Sequence, residues 1–68
     1  MNQDSMVLLK EYLEARVKEL EAEREEFTRR IVESYKEEDL ERAKRMTIGA
    51  DDVVGKLNEV RMALAFFK

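Results

Sequence analysis

From Ala43 to Phe67 the chain carries one unbroken apolar series: Ala43, Met46, Ala50, Val53, Leu57, Val60, Leu64 and Phe67. Its steps alternate between four and three residues, a mean of about 3.5, so every member falls on one narrow stripe of an α-helix. In a chain that is 43% charged, such a run is rarely accidental. A stripe of this kind has to be covered by a second apolar surface.

The N-terminal half supplies one. Met6, Leu9, Leu13, Val17, Leu20, Phe27 and Ile31 follow the same spacing, with Arg24 standing where the register asks for an apolar side chain. The intervening face is charged. Glu14 and Lys18, Glu25 and Arg29, and Glu26 and Arg30 are Glu-before-base pairs four residues apart, the favourable order on a helix surface. In the second half Glu38 and Arg42, Glu41 and Arg45, and Asp52 and Lys56 repeat the pattern. No proline occurs, and only Gly49 and Gly55 interrupt the helix-forming residues.

The position of the reversal follows from packing. Gly49 followed by Asp51 and Asp52 has the look of a helix stop and a new cap. A return centred there sets Leu57, Val60 and Leu64 against Glu41, Glu38 and Ser34, an apolar stripe on carboxylates. A return near residue 37 sets them against Val17, Leu13 and Leu9 or Lys10 instead. The expected fold is therefore all-α, a single antiparallel helical hairpin with coiled-coil-like packing. Helix 1 is placed at about 5–33, the turn at 34–38 and helix 2 at 39–67. Asp4 or Ser5 is the expected cap of the first helix, and Ser34 with Glu37 the expected capping box of the second.

Sixty-eight residues without cysteine or histidine cannot rely on disulfides or a Cys/His zinc site. Well-formed helices and association are the remaining routes to stability. At the end where the termini meet, Met6, Val7, Leu8, Leu9 and Leu13 face Met62, Phe66 and Phe67, more apolar surface than one hairpin buries, and Val54 adds to it from mid-helix. These residues are the expected oligomer interface, with a homodimer forming a four-helix bundle as the simplest assembly. Arg24 lies opposite Ala50 beside Asp51 and is read as a polar register device in the seam, with Asp51 as its counter-ion.

Chemistry finds little footing. Gly49 to Lys56 superficially suggests a phosphate loop, but five residues separate the glycines instead of four, and Leu57 replaces the Ser or Thr that holds magnesium. Paired glutamates without histidine make a poor metal site, and the hydroxyls at Ser5, Thr28, Ser34 and Thr47 have no His or Cys beside them. No catalytic residue, metal, cofactor or small-molecule substrate is expected, and the chain is read as a non-enzyme.

The net charge of −3 is mild, and no like-charge block is long enough for a nucleic-acid arm. The cluster of Arg29, Arg30, Lys36, Arg42 and Arg45 around the turn gives the alternative reading, a nucleic-acid-binding regulator, although nearby carboxylates oppose it. No apolar run approaches the roughly 18 residues of a membrane span, and the N-terminus lacks a secretory pattern, so the cytoplasm is the expected compartment. The expected role is protein–protein interaction, with itself first and with another protein through a helix face second.

Overall fold

The computed structural model describes residues Gln3–Phe67. Two helices, α1 (Gln3–Lys36) and α2 (Leu40–Ala65), pack along their length as an antiparallel hairpin. The molecule measures 54 × 15 × 14 Å, a rod about as long as α1 itself. Helix α2 runs unbroken through Gly49, so the reversal lies where packing of the stripes requires it.

The phase of the two stripes makes this reversal necessary. Ser34 ends the inner stripe of α1 and Ala43 begins that of α2. In one continuous helix, nine residues at 3.6 per turn would put the two stripes about 180° apart. Only a return of the chain brings them face to face.

The turn is built without glycine. Asp39 donates its N–H to the Ser34 carbonyl at 2.8 Å, and Glu38 donates to the Tyr35 carbonyl at 3.1 Å. These six-to-one and five-to-two bonds are the Schellman pattern, which requires a left-handed residue between them. That residue is Glu38, with φ of 58°. Asp39 then caps α2, its carboxylate accepting from the Arg42 N–H at 3.0 Å.

Two sequence expectations are corrected here. Ser34 is not a cap: it is fully buried within α1, and its hydroxyl donates to the Arg30 carbonyl at 2.8 Å. Helix α1 therefore continues to Lys36, and the cap falls to Asp39 because only a residue after the left-handed turn has its side chain beside the free N–H groups of α2. At the other end α1 begins at Gln3, with Asp4 in the first turn, where its charge suits the helix dipole.

A β-carbon in the left-handed region costs about 1 kcal/mol, which glycine avoids. Glu38→Gly is expected to raise unfolding stability by about 1 kcal/mol. The denaturant midpoint should rise with an unchanged slope; a midpoint at or below that of the parent would contradict the turn geometry.

The core sits in the middle of the hairpin. Leu20, Val53 and Leu57 form its buried centre, and Val17, Phe27 and Val60 pack against it. Ala43 is buried nearer the turn, where small side chains allow close helix approach. The Phe27 ring lies against Gly49, which fixes the register. Helix α1 has 34 residues and α2 has 26, so at 1.5 Å per residue α1 overhangs its partner by about 12 Å at the open end.

Candidate self-association surface

The overhang leaves apolar side chains without a cover from their own chain. Met6, Val7, Leu8 and Leu9 are all exposed on it, Leu8 to 66%. At the end of α2, Met62 is exposed and Phe66 projects with 89% of its surface accessible. Leu13, Val54 and Phe67 are half-buried. Tyr12 extends the exposed group along α1. Weighted by residue areas of order 150–250 Å², Met6–Leu9, Tyr12, Met62 and Phe66 together expose on the order of 800 Å², spread around the open end of the hairpin because consecutive helix residues lie about 100° apart. Apolar surface concentrated at one end in this way is a candidate interaction site.

The opposite end carries a connected set of ion pairs. Glu26 accepts from Arg29 and, at 3.0 Å, from Arg30. Arg29 reaches on to Glu33 at 2.6 Å, and Arg42 of α2 bonds Glu37 at 2.9 Å with Glu33 at 3.8 Å. The chain of charges thus crosses from α1 to α2 beside the turn. Of the five basic residues singled out around the turn, Arg29, Arg30 and Arg42 are held by carboxylates. Lys36 and Arg45 make no ion pair among the described residues. Arg29 pairs with Glu26 and Glu33, not Glu25. Arg42 cannot use Glu38, which the turn takes off the helix.

Hydrogen bonds from Arg29, and then from Arg30, hold the Glu26 carboxyl below its ordinary value of 4.5, and the Glu26 bond raises Arg29 in turn. A lowered folded value means that Glu26 stabilises the hairpin above the ordinary carboxylate range and loses that contribution as pH falls through the lowered value. Melting temperature followed downward from neutral pH should fall more steeply below pH 4.5 in the parent than in Glu26→Gln. Parallel curves would remove Glu26 from the account.

Arg24 and Asp51 are not brought together. Arg24 is half-buried and Asp51 exposed, with no ion pair between them among the described residues. The inter-helix pair on the middle of the hairpin is Arg61 with Glu21, at 3.6 Å.

A shallow cleft of about 420 Å³ opens beside Phe27 and Gly49. Its charged rim includes Arg30 and Lys56, and both are committed, Arg30 to Glu26 and Lys56 to Asp52 at 3.1 Å. A β-carbon at Gly49 would stand 2.7 Å from the Phe27 ring. Alanine there gains about 1 kcal/mol of helix propensity but forces the ring out of contact, at about 1–3 kcal/mol. Gly49→Ala is expected to lower stability or leave it unchanged. In a Phe27→Leu background the same change should stabilise, and a double-mutant cycle measures the difference.

No group of acidic side chains among the described residues is placed to hold a metal ion. No described helix is long and apolar enough to cross a membrane. No protein-family model, curated protein or solved structure matches the chain.

The sequence reading missed Tyr12, Leu40 and Ile48 as exposed apolar residues. Ile48 had a signal: it precedes Gly55 and Met62 at a spacing of seven, a second stripe on α2 outside the main one.

Proposed function

We propose that this chain is a non-enzymatic, homo-oligomeric helical module that acts through protein–protein contact, as a small adaptor, regulator or assembly component. Two hairpins associate into a four-helix bundle, and association covers the apolar open end. One observation carries the reading: among the described residues the hairpin buries four apolar side chains, Leu20, Ala43, Val53 and Leu57, while eleven large apolar ones stay exposed. A core of that size rarely holds a chain of this length on its own.

The nucleic-acid reading gains nothing from the turn, where three arginines already hold carboxylates and little net positive charge remains for phosphate. Sedimentation equilibrium on the purified protein, with circular dichroism on the same samples, tests the proposal. A dimer whose helicity falls on dilution is expected. A well-folded monomer across the micromolar range would overturn it.

A further inference from the structure

Resting on the homo-oligomer reading, we infer that the second copy covers one particular long face of the hairpin, the one that carries Val17, Arg24, Ile31, Thr47 and Val54, with both turns at the same end of the bundle.

Of the rod's surfaces, only a long face has the area that a stable dimer needs. At 54 × 15 Å it offers on the order of 800 Å² in projection, one partner's share of a standard interface, and an end of the rod offers about a quarter of that. Two such faces flank the seam, and their chemistry differs. One opens at Gly49 and is lined by Glu23, Glu26, Arg30, Asp52 and Lys56. Ion pairs hold it: Glu26 with Arg29 and Arg30, Glu33 with Arg42, and Asp52 with Lys56. Covering that face would strip water from all of these charges.

The other face is marked by the Arg61–Glu21 pair. At helical spacing, Thr28 and Tyr35 lie on the same side of α1 as Glu21, and Leu40, Thr47 and Val54 on the same side of α2 as Arg61. Val17, Ile31 and Val54 are half-buried at the edge of the seam there, and Tyr35 and Leu40 stand exposed. A cover on this side completes burial already begun and meets few ion pairs.

The face fits a second copy of itself. A two-fold axis parallel to the helices lays α1 of each hairpin on the partner's α2 and leaves every residue at its own height. Nothing can slide to improve the match. With Phe27 against Gly49, Glu14 stands within about one residue of the height of Arg61, Arg24 of Asp51, Thr28 of Thr47 and Tyr35 of Leu40. Within one chain the members of each pair point to the same side and do not meet. Between chains they face each other, as opposite charges, as hydroxyls or as apolar groups. Arg24 is half-buried with no ion pair among the described residues, and this arrangement gives it the partner's Asp51. Glu25 comes near the same Asp51 at the rim, where exposed charges are weak and screened by salt. Both overhangs emerge at one end, each passing the end of the partner's α2, where Met62 and Phe66 are exposed.

Single cysteines read the arrangement directly, because the chain has none of its own. Thr28 and Thr47 are exposed in the hairpin and close to cysteine in size, so substitution leaves the fold intact. At concentrations where the parent sediments as a dimer, mild oxidation of an equimolar mixture of Thr28→Cys and Thr47→Cys is expected to give a disulfide-linked heterodimer. Either variant alone should give none. A mixture of Glu23→Cys and Lys56→Cys, the matching pair on the ion-paired face, should also stay uncrosslinked. Thr47→Lys, which sets an ammonium against the partner's α1, should raise the dimer dissociation constant at least tenfold, with parent helicity regained when the protein is concentrated. Four results overturn the face or the arrangement while leaving the oligomer reading intact, given a dimeric parent: no cross-link in the first mixture, a cross-link through positions 23 and 56, a cross-link through position 28 or 47 alone, or unchanged association of Thr47→Lys. A monomeric parent overturns both.

Discussion

Truncation of Leu57 to alanine is expected to unfold the hairpin at ambient temperature. Leu57 has no accessible surface and sits at the centre of the cluster with Leu20 and Val53. Removing a buried leucine side chain costs about 2–5 kcal/mol, the transfer loss plus a cavity that two rigid helices cannot close. A domain of this size has on the order of 3–10 kcal/mol in total, and one with so small a core lies toward the lower end. The same change at Leu40, exposed at the start of α2, should cost no more than about 0.5 kcal/mol in an unassociated hairpin. Thermal melts by circular dichroism, run on both variants at one concentration, read the contrast. A Leu57→Ala melt within a few degrees of the parent would mean that something other than this cluster holds the helices together.

Much of this fold was legible because one physical requirement dominated it. The stripe from Ala43 to Phe67 kept its phase through Gly49, and a loop there would have set leucines against carboxylates. That is a statement about burial, which sequence spacing records well. The details of the turn were not legible for a different reason. Sequence signals for a left-handed residue are glycine and asparagine, and here Glu38 takes that conformation because the packed helices on either side impose it. With Glu38 off the helix, the expected Ser34 cap moved to Asp39 and Arg42 turned to Glu37 and Glu33.

The candidate surface divides along the same line. Open-end residues such as Leu8, Met62 and Phe66 could be picked out by counting apolar positions off the main stripe. That α1 overhangs α2 depends on where both helices stop, which spacing alone does not give. Arg24 illustrates the converse. Its place in the stripe was plain, but Asp51 one residue from its partner position points to solvent, because adjacent residues on a helix lie about 100° apart.

The double substitution Met62→Glu with Phe66→Glu is expected to weaken self-association by at least a hundredfold. Both side chains are exposed in the single hairpin, so neither change removes an intramolecular packing contact of the buried core. Burying each in an interface contributes about 1.5–3 kcal/mol, and a carboxylate in its place would have to be desolvated without a partner. Two such losses exceed the roughly 2.7 kcal/mol that a hundredfold change represents. The consequences for folding separate two cases. If the hairpin depends on its partner, helicity at micromolar concentration should fall together with sedimentation mass, and should return when the protein is concentrated. Should the double variant sediment as the parent does, the open end of α2 lies outside the interface, and the apolar surface there must be assigned to another occupant. A variant that is monomeric yet melts like the parent would show instead that Leu20, Val53, Leu57 and their neighbours suffice on their own. Association would then serve only function, with stability supplied by the hairpin itself.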